Sequence, residues 1–283
     1  FMIIGIVGLG LIGGSVAKAI KHSTPHTVLG RDILEPVLRK AILLDAIDDS
    51  LTDEKLSICD ILIIATYPGI CVDFVKNNYQ KFKKNVIIMD CCGIKKPVCD
   101  ALFPLAKEND FTFIGAHPMA GLEYSGFDNA QRKLFNNASI ILVPPQNTDL
   151  ELLHSIKQFW SNLGCTNFEI TTPEKHDRII AYTSQLAHVV SSAFIKSPTA
   201  KEHAGFSAGS YKDMTRVARL NETMWTELFL DNSENLEKEV DTVIENLIKY
   251  RDALKARDET ALKELLKEGR ICKENADKGE DRL

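Results

Sequence analysis

The sequence predicts an α/β fold, a doubly wound parallel sheet, followed by an all-helical domain. Three observations predict this arrangement. Apolar, β-branched runs alternate with helix-forming segments across residues 1–171, as a doubly wound sheet requires. A glycine-rich loop joins the first of these runs to the first helix-forming segment. Residues 172–283 then show helical periodicity without a further convincing strand, which predicts a second domain there.

Seven apolar runs in the first domain are predicted to be strands. In chain order they are MIIGIV, TVLGRD, DILIIAT, NVIIMD, FTFIGAHP, ASIILVPP and TNFEIT. Helices are expected between them, at 36–44, up to about residue 82, up to residue 106, and at 150–163. The loops after the third, fourth and fifth runs lie at strand carboxyl ends, which is the edge where open α/β sheets bind ligands.

The segment GIVGLGLIGGSVAKAI carries Gly8, Gly10 and Gly13 in the spacing G-x-G-x-x-G, between a predicted strand and a predicted helix. In such a loop the first glycine permits a tight turn, the second lets a pyrophosphate approach, and the third allows close packing of helix on strand. The helix N-terminus adds backbone N–H groups and the positive end of its dipole. The loop predicts an NAD site. Its predicted residues are Gly8, Gly10, Leu11, Ile12, Gly13, Arg31, Asp32 and Thr66.

Asp32 ends the second predicted strand, 19 residues after Gly13. An acid at about this distance binds the adenosine ribose in dinucleotide-binding folds, and an Asp that caps the next helix is the alternative. The acid would repel a 2′-phosphate and therefore favours NAD over NADP. The adjacent Arg31 points the other way, because a guanidinium could accept that phosphate.

Composition excludes several classes of protein. A net charge of −5 argues against nucleic acid as the main partner. No apolar run approaches the ~18 residues of a membrane span. The seven cysteines are scattered without a C-x-x-C, which predicts reduced thiols in a cytoplasmic protein. The adjacent Cys91 and Cys92 lack zinc-ligand spacing, and no metal site is predicted.

A first candidate for chemistry is His117 in GAHPMAG, at the end of the fifth predicted strand. Pro118 prevents a helix from beginning there, so we expect His117 on a loop with its side chain towards a substrate. A structural histidine is the alternative.

A second candidate is HDRIIAYTSQLAHVV, in which Asp177, Ser184 and His188 are separated by seven and four residues. At 100° per residue, the three side chains are predicted to share one face of a helix. A polar face in solvent is the alternative.

A third candidate is SAGSYKDMTRVARLNETMWTELFLDN. Gly209 precedes a predicted helix that bears Arg216, and Trp225 follows nine residues later. Arginine can hold a carboxylate through two hydrogen bonds, whereas a surface ion pair is the alternative.

The last third of the chain carries an apolar stripe at helical spacing. Its members are Leu236, Val240, Val243, Ile244, Leu247 and Ile248. We expect the stripe to be buried, either inside the domain or in a dimer seam. The charged end KENADKGEDRL is expected to fray.

These motifs together resemble the prephenate dehydrogenase family of tyrosine biosynthesis. The glycine loop, DCCGIK, HPMAG, HDRIIAYTSQLAH and YKDMTRVARLNETMW follow in the family's order over nearly the whole chain. The resemblance implies a Rossmann-type NAD-binding domain and a helical dimerisation domain in a homodimer. It also implies oxidation of prephenate with decarboxylation to 4-hydroxyphenylpyruvate.

The resemblance assigns roles by position. His117 matches the catalytic histidine, which hydrogen-bonds the ring hydroxyl, and Arg216 matches the arginine that anchors a substrate carboxylate. Ser184 and His188 match positions in the substrate pocket. Two further positions, Gly209 and Trp225, line that pocket, with the tryptophan donated by the partner subunit. Asp177 matches an acid that supports the long helix.

The chain departs from the family's motifs at three positions. Gly93 stands where the D-x-x-S-x-K motif has serine, and Gln185 and Ala187 change S-H-L-P-H to SQLAH. Arogenate dehydrogenase is the nearest alternative, although no clear acid for the arogenate amine stands in the motif near His188. A β-hydroxyacid dehydrogenase, which uses a lysine base, and an NAD-binding sensor without turnover are further alternatives.

Overall fold

The structure is a computed structural model that describes residues 1–280, with side chains described to residue 278. Eight strands form one sheet in the order β3-β2-β1-β4-β5-β6-β7-β8. The strands are β1 (Ile3–Val7), β2 (Thr27–Arg31), β3 (Asp49–Ser50), β4 (Ile61–Ile64), β5 (Val86–Asp90), β6 (Phe111–Met119), β7 (Ser139–Val143) and β8 (Asn167–Ile170).

The sheet is parallel except at one junction. β1 pairs in parallel with β2 and β4, and the parallel pairing continues through β5 to the first part of β6. β7 runs antiparallel to β6 and parallel to β8. The prediction of a doubly wound α/β sheet is confirmed, with two differences: the antiparallel β6–β7 pair, and β3, whose two residues are too few to leave a strand signal.

Five α-helices cover the two faces of the sheet. They are α1 (Leu11–Ser23), α2 (Glu35–Leu43), α3 (Pro68–Asn78), α4 (Lys96–Glu108) and α5 (Leu150–Asn162). Side chains alternate along each strand, so Ile4 and Ile6 of β1 pack on the α1 side, whereas Leu62 and Ile64 of β4 pack on the α3 side. Each face therefore has its own apolar core.

The rest of the described chain is helical. Its elements are α6 (Pro173–Ile180), a π-helical turn (Ala181–Leu186), α7 (Ala187–Ile195), α8 (Gly209–Thr215), α9 (Glu222–Leu230), α10 (Ser233–Ala256) and α11 (Glu259–Glu280). By internal contacts the chain divides into two compact units, residues 1–233 and 234–283. The domain boundary predicted between residues 171 and 172 lies where the strands end and the helices begin, and differs from the division between the two compact units.

The apolar stripe of α10 is only partly buried within a single chain. Leu236 is buried, whereas Ile244, Leu247 and Ile248 are 48%, 60% and 39% exposed, so burial inside the domain accounts for only part of the stripe. The C-terminal segment that we expected to fray continues as helix to Glu280, and its last three residues lie outside the described residues. Within residues 1–280, no helix combines the length and the apolar character needed to cross a membrane.

Candidate active site

The glycine-rich loop has the shape that a pyrophosphate requires. Gly8 has φ +85°, a conformation that other residues rarely adopt. A Cβ atom at Gly13 would lie 1.8 Å from the carbonyl oxygen of Gly8, so helix and strand approach this closely only because residue 13 is glycine. At Gly10, by contrast, a Cβ atom would have no neighbour within 4 Å. This open space lies beside the first turn of α1, at Leu11 and Ile12, whose N–H groups precede the helical ladder. The loop therefore fits a dinucleotide.

Asp32 holds this loop to the end of β2. Its Oδ2 accepts a hydrogen bond from the N–H of Leu9 at 2.8 Å, and its Oδ1 accepts one from the N–H of Leu34 at 2.9 Å. A carboxylate has about four acceptor positions, so Asp32 keeps capacity for ribose hydroxyls. Thr66 also belongs to this end of the sheet, since its methyl group would lie 2.9 Å from a Cβ on Gly8.

Arg31 is occupied by a neighbouring acid. Its Nη1 donates to Asp53 Oδ1 at 2.6 Å, while Lys81 Nζ donates to the other oxygen of Asp53 at 2.6 Å. The guanidinium also lies over the Phe74 ring, 5.5 Å from its centroid. A 2′-phosphate would have to compete with Asp53 for Arg31, so the geometry favours NAD.

His117 lies within a strand rather than on the expected loop. β6 continues through Met119, and His117 pairs with Ile141 of β7. Beyond Ile114, β6 pairs only with β7, and an edge position of this kind tolerates Pro118, which has no N–H to donate. The strand therefore fixes the His117 backbone more firmly than a loop would.

A chain of hydrogen bonds runs from His117 to the N-terminus of α4. His117 Nδ1 lies 2.9 Å from His176 Nε2, and His176 Nδ1 lies 2.6 Å from Asp177 Oδ1. The Asp177 carboxylate accepts hydrogen bonds from the N–H groups of Lys95 at 2.7 Å and Lys96 at 2.8 Å. His176 and Asp177 are both buried. Asp177 thus joins α6 to the N-terminus of α4.

A buried ion pair lies beneath this chain. Lys95 Nζ donates to Asp90 Oδ2 and to the carbonyl oxygen of Ala116, the latter at 2.7 Å. The other oxygen of Asp90 accepts the N–H of Ala116 at 3.0 Å. Two bonds therefore fix the residue that precedes His117.

Burial sets the protonation of the two histidines. It lowers the pKa of His117 well below its usual range, and the neighbouring His176 and Lys95 lower this pKa further. Burial also lowers the pKa of His176, although the hydrogen bond to Asp177 opposes that shift. Both imidazoles are therefore neutral at neutral pH, and His117 is able to accept a proton.

A second group of predicted residues lines an open cavity of about 350 Å³. Ser184, His188 and Arg216 contribute to its wall, together with Thr183, Ala187, Val190, Asp213, Met214 and Val217. His188 Nδ1 lies 3.1 Å from the carbonyl oxygen of Val217. Burial lowers the pKa of His188, the Val217 carbonyl opposes this shift, and Arg216 adds to it.

The π-helical turn explains why the predicted single polar face is wrong. A π-turn inserts one residue into the helical register, and such turns are frequent at functional sites. Gln185 rather than Ser184 consequently shares the buried side with Asp177, because Asn232 Nδ2 donates both to Gln185 Oε1 at 2.7 Å and to the carbonyl oxygen of Asp177 at 2.9 Å. Ser184 and His188 are thereby turned to the cavity. The substitution at Gln185 is structural, since its Nε2 also donates to the Leu228 carbonyl.

Helix α9 links the cavity to the sheet edge. The Trp225 ring lies on the His188 ring, with centroids 3.9 Å apart. Two residues further along α9, Glu227 Oε1 accepts the N–H of Gly69 at 2.8 Å, and the next residue, Leu228, would lie 3.7 Å from a Cβ on Gly93. The Trp225 contact is formed within one chain, whereas the resemblance implied a tryptophan from the partner subunit.

Gly209 and Gly93 remain to be placed. Gly209 begins α8, seven residues before Arg216, and is exposed without a heavy atom within 4 Å of a Cβ position. It is therefore not among the residues that line the cavity. At Gly93 a Cβ atom would contact Leu228 at ordinary van der Waals distance. A serine would therefore fit at this position, and steric crowding does not explain the glycine.

The sequence reasoning did not single out several polar residues of the site. They are Asp90, Lys95, His176, Asp213 and Glu227. Asp90 and Lys95 are the first and last residues of DCCGIK, and His176 directly precedes Asp177 on the first turns of α6. These positions were visible in the motifs, but their partners are remote in sequence and become neighbours only in the fold.

Comparisons with known proteins agree with this arrangement. Residues 16–168 match the family model "Prephenate dehydrogenase, nucleotide-binding domain", and residues 172–268 match "Prephenate dehydrogenase, dimerization domain". The chain is 32% identical to cyclohexadienyl dehydrogenase of Zymomonas mobilis over 280 residues, which is 95% of this chain and 94% of that protein.

Two solved structures are similar over almost the full length. Prephenate dehydrogenase of Aquifex aeolicus, in complex with hydroxyphenyl propionate and NAD+, has a TM-score of 0.85 and 27% identity, covering 98% of each chain. Synechocystis arogenate dehydrogenase has a TM-score of 0.78 and 25% identity, covering 97% of this chain and 100% of that one.

Proposed function

The chain belongs to the prephenate dehydrogenase family, and we propose on this basis that it oxidises prephenate with NAD to 4-hydroxyphenylpyruvate, with loss of the ring carboxylate, in tyrosine biosynthesis. One observation of the structure carries the proposal. His117, whose Nδ1 lies 2.9 Å from the buried His176, follows the carboxyl end of the parallel part of β6, in a sheet whose glycine loop fits a dinucleotide.

The residues present match what this reaction needs. NAD, when bound, supplies the hydride acceptor. His117 accepts the proton of the ring hydroxyl, so that the hydroxyl carbon becomes a carbonyl as its hydride leaves. Loss of the ring carboxylate as carbon dioxide then leaves its electron pair to the ring, which becomes aromatic, and the former carbonyl oxygen takes a proton back from His117. Arg216 binds a carboxylate of the substrate through its planar fork, and Ser184 and His188 provide polar contacts in the same cavity.

Gly93 leaves one position of this site without a side chain. A serine hydroxyl here would supply a hydrogen bond to the ring oxygen, and its loss removes that bond. We propose that a backbone N–H or a water donates this hydrogen bond instead. Without a side chain at Gly93, either donor has room to approach the ring oxygen.

Arogenate is the second candidate substrate, and a specific residue favours it. Asp213 lines the same cavity as His188 and Arg216. Its carboxylate could bind the protonated amine that distinguishes arogenate from prephenate. The Synechocystis relative is named as an arogenate dehydrogenase. The prediction that no acid stands near His188 therefore holds for the sequence motif around His188 but not for the folded cavity, to which Asp213 contributes.

Two further parts of the proposal concern the whole protein. We propose a homodimer, supported by the exposed part of the apolar stripe of α10 (Ile244, Leu247 and Ile248) and by the match to a dimerization domain. We also propose a cytoplasmic location, supported by seven free cysteines, of which six are at least partly buried.

The test is an assay of NAD and NADP reduction by the purified protein with prephenate, arogenate or a β-hydroxyacid. The proposal expects turnover of prephenate with NAD. Asp213→Asn separates the two candidates, because it should lower kcat/KM for arogenate and leave that for prephenate nearly unchanged. Turnover of the β-hydroxyacid alone, or of none of the three, would contradict the proposal.

A further inference from the structure

We propose that His176 is a positioning residue that fixes the proton of His117 on Nδ1 and leaves Nε2 as the proton acceptor. The inference rests on the proposed function in so far as His117 is the base of that reaction. It assigns a role to a residue that would not itself touch the substrate, and it names the reacting nitrogen.

The order of protons follows from the end of the hydrogen-bond chain. The Asp177 carboxylate accepts hydrogen bonds from two backbone N–H groups, that of Lys95 at one oxygen and that of Lys96 at the other. An ionised carboxylate can only accept, so His176 Nδ1, at 2.6 Å, must carry a proton and donate it.

A neutral imidazole has one N–H, and the other nitrogen is an acceptor. With its proton on Nδ1, His176 presents the lone pair of Nε2 to His117 Nδ1, which lies 2.9 Å away. His117 must then donate through Nδ1, and its Nε2 keeps a free lone pair. The same logic holds the imidazole of a catalytic triad in its working tautomer.

Each of the two alternative proton arrangements is disfavoured by the Asp177 carboxylate or by burial. If His117 carried its proton on Nε2, a neutral His176 would have to donate through Nε2 and would turn a bare Nδ1 to the Asp177 carboxylate at 2.6 Å. A doubly protonated His176 would avoid that repulsion, but it would place a cation in a fully buried position.

Burial and the charge of Lys95 also oppose the doubly protonated form of His176. Burial lowers its pKa, and the Lys95 ammonium on the α4 side lowers it further. The Asp177 and Asp90 carboxylates act in the opposite direction, yet the net shift is downward. His176 is therefore neutral in the working pH range, as the proton order requires.

This arrangement has a consequence for the reaction. When His117 Nε2 takes the hydroxyl proton, the ring becomes a cation within a site that already holds Lys95. Its Nδ1–H remains donated to His176, whose own Nδ1–H remains donated to Asp177. The positive charge on His117 is thus stabilised through two hydrogen bonds. No proton has to move between His117, His176 and Asp177 during turnover.

The tautomer can be measured without any substrate. In the intact 283-residue chain labelled with 15N-histidine, with and without NAD, NMR distinguishes protonated from bare ring nitrogens. We expect His117 to show a protonated Nδ1 and a bare Nε2 near neutral pH. A protonated Nε2 on His117 would overturn the inference, whatever the protein oxidises.

His176→Gln tests the effect on turnover. The amide can donate or accept, so it keeps a hydrogen-bonding partner for His117 but no longer selects the tautomer. We expect kcat for prephenate to fall about tenfold or more, but by no more than the roughly 10²–10⁴ that a positioned general base contributes, with KM for NAD and the melting temperature nearly unchanged. The spectrum of this variant should show both tautomers of His117.

His154→Gln is the matched control, because His154 is exposed on α5, remote in sequence from the cluster. A His176→Gln protein as active as this control would contradict the positioning role. If the wild-type protein does not oxidise prephenate, the proposed function fails, while the spectrum of the wild-type protein still decides the proton order.

Discussion

Lys95 and Asp90 form an ion pair in which both side chains are fully buried, each 0% exposed. Burial alone would lower the pKa of Lys95, but the Asp90 carboxylate beside it raises this pKa above its usual value. Both members also bond the backbone of Ala116, next to His117. The pair therefore connects the stability of the sheet to the position of the proposed base.

Lys95→Met should destabilise the protein by about 3–5 kcal/mol, because it leaves the Asp90 charge buried without its partner. Denaturant unfolding measures the loss. The neighbouring Lys96 offers a matched control, since its side chain is half exposed and pairs with the exposed Asp100 and Glu174. Lys96→Met should cost at most about 1 kcal/mol. Equal losses in the two variants would mean that the pair at Lys95 is not the buried charge described here.

The pH profile of turnover should reach further into acid than an ordinary histidine allows. His117 accepts a proton only while neutral, so activity falls as the pH drops through its pKa. That pKa lies well below 6.5, because burial, His176 and Lys95 all disfavour the cation. We therefore expect the acid limb of kcat/KM below pH 6.5.

His117→Asn tests the assignment of that limb. The variant should lose about 10²–10⁴ in kcat while keeping its affinity for NAD. Since asparagine cannot take up the proton, the acid limb should disappear with it. A variant with nearly normal kcat per folded molecule, or one that retains the limb, would assign the limb to another group.

The strands and the glycine loop could be predicted because their signals are local. Each strand of the sheet core is an apolar run of four or more residues, and the loop has a spacing that few other structures require. β3 has only two residues, so its pairing depends on the neighbouring β2 and leaves no pattern of its own. The antiparallel direction of β7 is likewise a property of the fold rather than of its sequence.

The site was less predictable, for identifiable reasons. The expected common face of Asp177 and Ser184 assumed 3.6 residues per turn, and the π-helical turn at 181–186 changes that number without a visible signal in the sequence. The prediction that His117 lies on a loop was wrong, because pairing with β7 continues β6 past Pro118. The bond from His176 to His117 joins residues 59 apart, which no local pattern could indicate.

Cofactor choice can be tested at Asp53. Asp53→Asn releases Arg31 from its ion pair, so Arg31 becomes able to bind a 2′-phosphate. The pair is partly exposed and should be worth less than about 1 kcal/mol, which predicts a two- to fivefold lower KM for NADP. KM for NAD should not change. An unchanged KM for NADP would show that Asp53 does not restrain Arg31.

Asp32→Ala makes the complementary change. It removes an acceptor for the ribose hydroxyls and also the bond that holds the N–H of Leu9, so it should weaken NAD binding. Titration of each cofactor against the apoprotein measures both effects. If the wild-type protein used NADP at least as well as NAD, the role assigned to Asp32 would be wrong.

Arg216 is expected to act on the substrate and not on the cofactor. Arg216→Lys keeps the charge but loses the planar fork, and one charge-assisted hydrogen bond is worth about 1.5–3 kcal/mol. KM for prephenate should therefore rise about tenfold or more, with NAD binding unchanged. Arg219→Lys is the control, because Arg219 is exposed and lies outside the cavity wall. Equal loss of affinity for both ligands would indicate a structural arginine.

The exposed stripe of α10 predicts how the chain assembles. Leu247 is 60% exposed, and a charge at a seam between two copies would be buried without a partner. Leu247→Lys should therefore shift the protein from dimer to monomer, as measured by sedimentation or light scattering over a range of concentrations. Glu245→Lys introduces the same side chain two residues away, on the opposite side of the helix, and should leave the mass unchanged. A wild-type protein that is monomeric at every concentration, or a Leu247→Lys dimer as tight as the control, would exclude the stripe as the seam.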